Sequence, residues 1–142
     1  MQNGCPKEVL DLESNSECLK TLRDKLRDFL TQAGLETKAL ESLLVAAGEA
    51  FTNAIRHSYL GQCGKKIQVT FEDAPDKVTL RFRDYGKKID LTCVKEPTLP
   101  PVKGGGLGIY FMKTIVDEME YNTRHSEGNE LIMVKYKAGK KA

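Results

Sequence analysis

The chain lacks any strong excess of charge: 22 lysines and arginines face 20 aspartates and glutamates in 142 residues, a formal net charge of +2. That balance gives no ground for direct nucleic-acid or membrane binding driven by charge alone. The cysteines are also few. Cys5, Cys18, Cys63 and Cys93 form no C-x-x-C pair and no zinc-type spacing with histidine, which is the pattern of reduced thiols in a cytoplasmic protein. No apolar run is long enough to span a bilayer, the first residues carry no apolar signal core, and no internal repeat is present. The expectation is one soluble domain over residues 1–142, large enough for a two-layer core.

Hydrophobic patterning fills in the elements. Val9-Leu10-Asp11-Leu12 reads as a short strand and Ser14-Asn15-Ser16 as capping chemistry. Leu19, Leu22, Leu26, Phe29 and Leu30 then make a helical stripe that stops at Gly34, while Asp24, Arg27 and Asp28 lie on its solvated face. A second helix is expected from about Lys38 to Ser58, capped by Thr37, with Leu40, Leu43, Leu44, Ala47, Phe51, Ala54 and Ile55 recurring at helical intervals. The period-two segments Ile67–Phe71 and Val78–Phe82, separated by Asp73-Ala74-Pro75-Asp76, predict an antiparallel hairpin with one face buried. Pro97, Pro100 and Pro101 break regular structure before the cluster Gly104-Gly105-Gly106-Leu107-Gly108. Ile109, Phe111, Met112, Ile115 and Val116 then restore helical periodicity, and strands are expected around Glu120–Thr123 and at Leu131–Val134 after a Gly128-Asn129 turn.

Three stretches carry possible chemistry. In the second helix Glu49, Asn53 and His57 follow one another at four-residue spacing, so a carboxylate, a carboxamide and an imidazole share one face. Asparagine is a poor helix former, and its place among Ala50, Phe51 and Ala54 points to a use; the bland reading is a polar helix edge. Asp84-Tyr85-Gly86 puts an acid at a strand end next to backbone a ligand can approach, although Asp-x-Gly is also ordinary turn chemistry. A glycine cluster that opens a helix offers closely approachable N–H donors and the positive end of the helix dipole to phosphate, or else is a linker.

The order of these stretches resembles that of the GHKL, or Bergerat-fold, ATPases. Glu49 to His57 looks like that superfamily's N box, Asp84-Tyr85-Gly86 like its first glycine box and Gly105-Gly106-Leu107-Gly108 like its second. The form Glu-Ala-x-x-Asn-Ala-x-x-His is similar to that of the anti-sigma-factor serine kinases of bacterial partner-switching systems, and the resemblance runs from about Val9 to Tyr136. It implies an α+β fold: a two-layer α/β sandwich in which a mostly antiparallel sheet packs on about three helices, with an ATP lid over roughly residues 91–107.

The resemblance implies ATP and Mg2+, with Asn53 as the metal's protein ligand and Glu49 as general base. Asp84 would accept the adenine amine, Gly86 would let the base approach, and Gly104, Gly105, Gly106, Leu107 and Gly108 would cradle phosphates. Arg56 and His57 would flank the phosphate side, although a packed histidine is an equal reading of His57. Implied partners are a STAS-type anti-sigma-factor antagonist, phosphorylated on serine, and a sigma factor held by a homodimer. Two departures stand out: Lys88 where many relatives carry a second glycine, and Asn129 where a threonine is frequent, the Asn129 amide being its substitute. The rival implied function is a nucleotide-gated binding module without kinase activity. A sensor histidine kinase is disfavoured, because no phosphoacceptor hairpin is present.

Overall fold

The structure is a computed structural model, and it describes residues 6–89, 111–122 and 124–137. The lid and the glycine cluster Gly104–Gly108 lie outside the described residues, as do Ile109, Thr123, Cys5 and Cys93. Cys18 and Cys63 are free thiols.

The elements run β1 (Lys7–Glu13), α1 (Ser16–Gln32), α2 (Thr37–Asn53), a π-helical turn (Ala54–Ser58), β2 (Lys66–Asp73), β3 (Lys77–Asp84), a helical stretch at 111–115, β4 (Glu118–Tyr121) and β5 (Asn129–Tyr136). The five strands form one antiparallel sheet in the order β1-β2-β3-β5-β4. Helices cover one of its faces, so the expected two-layer α+β sandwich is what the chain forms.

Strand parity explains the layering. Ile67, Val69 and Phe71 on β2, Val78, Leu80 and Phe82 on β3, and Leu131 and Met133 on β5 are buried, and every second residue belongs to the helix-covered face. On the open face Arg81 pairs with Glu72 at 3.2 Å. α1 buries Leu22, Leu26 and Leu30, and α2 buries Leu40, Leu43, Leu44, Ala47 and Phe51. Phe29 and Phe71 tilt against each other with centroids 5.3 Å apart, which locks α1 onto β2. Each fully buried leucine or phenylalanine contributes about 1.5–3 kcal/mol by removal from water.

Local signals mostly hold. Asn15 caps α1, its Oδ1 accepting from the Cys18 amide at 2.9 Å, and the chain turns at Gly34. The second helix differs at both ends. Glu36, not Thr37, holds the N-cap position with extended backbone, and its side chain makes no cap hydrogen bond; Thr37 is already helical, past the point where its hydroxyl could cap. At the far end the α-helix stops at Asn53 and widens into the π turn, in which the Tyr59 amide donates to the Ala54 carbonyl five residues back at 3.1 Å. β4 begins and ends two residues earlier than expected, and just past its end the Asn122 side chain accepts from the Arg124 amide and starts a turn. In the 111–115 stretch Met112 is buried while Phe111 is exposed.

Candidate functional site

The site begins with the same parity that builds the core. The inward-facing series Val78, Leu80 and Phe82 continues to Asp84, and the series Leu131 and Met133 extends backward to Asn129. Asp84 and Asn129 are direct cross-strand partners, so both polar side chains are carried onto the buried face at one end of the sheet.

A buried carboxylate needs donors, and Asp84 has several. Ser58 Oγ donates to Oδ2 at 3.0 Å, while the Gly86 amide at 3.0 Å and Asn129 Nδ2 at 3.1 Å donate to Oδ1. Burial nevertheless pushes the Asp84 carboxyl above the usual aspartate range, the hydrogen bonds only partly offsetting it. Asn129 reaches further, donating also to Ser58 Oγ at 3.0 Å and to the Lys87 carbonyl at 2.8 Å, while its Oδ1 accepts from the Ile89 amide at 2.8 Å. It ties the start of β5 to the whole loop after β3.

Two glycines permit this closeness. A Cβ on Gly86 would stand 2.3 Å from the Ser58 carbonyl, which instead accepts from the Lys87 amide at 2.7 Å. A Cβ on Gly128, which has a φ of +69°, would stand 2.0 Å from the Asp84 carbonyl. Gly86 thus seats the post-strand loop against the π turn.

Asn53 lies across the gap from this cluster. It is buried, at 4% exposure, and neither Oδ1 nor Nδ2 has a hydrogen-bond partner among the described residues. An amide buried without partners costs free energy at each atom, so it marks a place where a ligand would complete the bonding. Asn53, Ala54, Phe82, Asp84, Tyr121 and Leu131 line one hollow of about 10 Å³, the room of a single water, with Ile89 also on its wall. Glu49 is half-buried one helical turn before Asn53. An unpartnered amide oxygen fits a hard cation such as Mg2+, which takes oxygen ligands and keeps several waters. No group of three or more acidic, histidine or cysteine side chains among the described residues could hold a metal ion by itself, so such an ion would depend on its other ligands.

The π turn separates the remaining expected residues. By adding a residue to the turn, it ends the four-residue line at Asn53 and brings Ser58 to the carboxylate. Arg56 is exposed. His57 is half-buried with a buried Nε2 that has no hydrogen-bond partner among the described residues, and burial, with Arg56 beside it, pushes its pKa down. Lys88, in place of a second glycine, donates its Nζ to the His125 carbonyl. Sequence reasoning missed Ser58, Tyr59 and Tyr121. Tyr59 Oη accepts from the Tyr85 amide at 2.7 Å and donates to the Lys66 carbonyl at 2.5 Å. Tyr121 is pushed up by burial, with Asp84 adding to the effect. Helical spacing predicts a contact for neither Ser58 nor Tyr59; the inward parity of β4 would have pointed to Tyr121.

Comparison with known proteins supplies the family. A family model described as a histidine kinase-like ATPase domain matches residues 12–135. The chain belongs to this family. Within it the chain is similar to serine-protein kinases. The chain is 30% identical over 138 residues to the serine-protein kinase RsbW of Listeria innocua serovar 6a, covering 92% of this chain and 87% of the relative. It is 24% identical over 149 residues to RsbW of Bacillus subtilis, covering 99% and 92%. The crystal structure of the RsbU and RsbW domains of Rv1364c from Mycobacterium tuberculosis superimposes with a TM-score of 0.68 at 19% identity. That match covers 92% of this chain, which spans only 31% of the longer one. The resemblance to the GHKL anti-sigma-factor kinases is therefore a family membership, and a histidine kinase-like ATPase domain implies ATP, generally with Mg2+. No helix among the described residues of this ATPase domain is long and apolar enough to cross a membrane.

Proposed function

We propose that this chain is a cytoplasmic, ATP-dependent protein-serine kinase and anti-sigma factor. It phosphorylates a STAS-type anti-sigma-factor antagonist and sequesters a sigma factor as a homodimer. The observation that supports this best is the buried, unpartnered Asn53 amide, which shares a hollow with Asp84 and lies one helical turn after Glu49.

In this reading Asp84 selects the base. Ser58 Oγ donates to Oδ2 while the Gly86 amide and Asn129 Nδ2 donate to Oδ1, and Oδ2 would accept from the adenine exocyclic amine. Ile89, held by its amide to Asn129, has to move for a purine to enter a hollow of about 10 Å³. Asn53 Oδ1 would hold Mg2+, which neutralises phosphate charge when bound. Glu49 would orient the acceptor serine hydroxyl and take its proton as that oxygen bonds the γ-phosphorus and the bond from the γ-phosphorus to the β–γ bridging oxygen breaks, with ADP leaving. Gly104, Gly105, Gly106, Leu107 and Gly108 donate backbone N–H groups to the phosphates. Arg56, with its exposed side chain, and His57 would flank the phosphate side.

Incubation with Mg-ATP and a STAS antagonist is expected to yield phosphoserine on the antagonist. Glu49→Gln is expected to lower transfer by about 10²–10⁴-fold while ATP binding by calorimetry persists. Normal transfer by Glu49→Gln would remove Glu49 from the base role. No ATP binding at millimolar Mg-nucleotide would favour a regulatory binding module over a kinase.

A further inference from the structure

An open depression of about 750 Å³ shares Ser58 with the small hollow, but its lining includes neither Asn53 nor Asp84. Its walls come from the π turn and from the loops that precede β2 and follow β3. Lys65, Lys66 and Lys87 converge on it, all three exposed, and none forms an ion pair within 4 Å among the described residues. Glu13 stands opposite Lys66 in the β1–β2 register yet makes no such bridge. Two apolar groups also line the depression. Tyr85 is 44% exposed, with Arg83 stacked over its ring at 4.2 Å and Lys66 at 5.7 Å, and Leu60 is 67% exposed with a left-handed φ of 53°.

The depression is built rather than incidental. Tyr59 Oη bonds both the Tyr85 amide and the Lys66 carbonyl, and the Ser58 carbonyl bonds the Lys87 amide, so the three walls are cross-braced behind the lysines. A preorganised surface loses little freedom on binding. Three cations without an ion-pair partner among the described residues call for an anionic occupant, and an exposed tyrosine beside an exposed leucine calls for an apolar side chain among its acids. In a chain of net charge +2, this is a local concentration of one sign.

We propose that this depression is a docking groove for an acidic segment of a protein partner, with Lys65, Lys66 and Lys87 holding its carboxylates and Tyr85 and Leu60 receiving an apolar residue between them. The inference does not depend on kinase activity, because it is tested by direct binding.

The test titrates the full chain with a fluorescent pentapeptide EEFEE, its neutral counterpart QQFQQ and inorganic phosphate. Anisotropy gives affinity, and amide chemical shifts give location. EEFEE is expected to bind with shifts centred on Leu60, Lys65, Lys66, Tyr85 and Lys87, weakening as salt rises. The triple variant Lys65→Gln, Lys66→Gln, Lys87→Gln is expected to lose affinity at least about tenfold. A control of equal charge loss, Lys7→Gln, Lys20→Gln, Lys25→Gln, is expected to keep it; these lysines are exposed and outside the groove. Equal binding of QQFQQ, equal loss in the control, shifts centred elsewhere, or phosphate that reproduces the shifts and displaces the peptide would each overturn the proposal. Both triple variants change only exposed side chains, and unchanged amide spectra away from the groove verify their fold.

Discussion

Replacing Asn129 by alanine tests the geometry of the site most directly. The carboxamide donates to Ser58 Oγ, Asp84 Oδ1 and the Lys87 carbonyl and accepts from the Ile89 amide, at 2.8 to 3.1 Å, with the residue 5% exposed. Two amide hydrogens serve three acceptors, so one is shared, and the bond from Ile89 fixes which way the amide points. Alanine removes one donor from a buried carboxylate, worth about 1.5–3 kcal/mol, and strands the half-buried Ile89 amide for about 1 kcal/mol more. The sum is about 2.5–4 kcal/mol, or a fall in Tm of about 10 °C for a domain of this size. Urea unfolding at neutral pH measures it. Asn129→Thr retains one hydroxyl donor and is expected to lose about half as much. A double-mutant cycle with Asp84→Asn is expected to show coupling of about 1–2 kcal/mol, since the two residues touch. If Asn129→Ala unfolds within about 0.5 kcal/mol of the parent at unchanged m-value, the bonds do not hold the loop and the account of the site is wrong.

The remaining predictions concern neighbouring groups. Asn53→Ala removes two unpartnered buried atoms and is expected to leave the nucleotide-free urea midpoint unchanged or higher, while Mg-dependent nucleotide binding by calorimetry is lost; a large destabilisation would mean the amide has structural partners. Gly86→Ala forces a Cβ to within 2.3 Å of the Ser58 carbonyl and is expected to cost several kcal/mol, read as lost soluble protein or a sharply lower Tm. Asp84 and Glu130 are expected to leave opposite signatures in the pH dependence of stability. Asp84 is raised by burial, so its contribution is complete below the ordinary aspartate pKa and lost as pH rises through the raised one; in Asp84→Asn that loss disappears. Burial pushes Glu130 up, but hydrogen bonds from His125 and Asn122 outweigh it and hold the carboxyl below its usual range. Its contribution is present above the ordinary glutamate pKa and lost as pH falls through the depressed one, and Glu130→Gln removes that acid sensitivity. Denaturation series across the acidic range compare the two, and slopes of the same sign would contradict the assignment.

Much of this domain was legible because its signals are local. The leucine stripe of α1, the alternation of β2 and β3 and the Pro75 turn each depend only on residues a few positions apart, and each formed where expected. Asp84 was also legible as a polar residue at a strand end, whereas Asn129, expected in a turn before a strand at Leu131–Val134, is the first residue of β5. What periodicity did not disclose is that both belong to the inward parity of neighbouring strands and face each other.

The order of apolar and polar residues determined the helices and the antiparallel hairpin, because each is a local stripe, and the resemblance of the motifs to the Bergerat-fold ATPases implied the two-layer sandwich those elements build. Only the tertiary structure decided that the second helix widens after Asn53, that Ser58 rather than His57 meets the Asp84 carboxylate, and that three lysines converge on a groove beside it. A π turn arises when packing against other elements outweighs regular hydrogen bonding, and the convergence of Lys65, Lys66 and Lys87 joins residues about twenty positions apart. Such contacts are set by how layers close over one another, which no stretch of sequence read by itself contains.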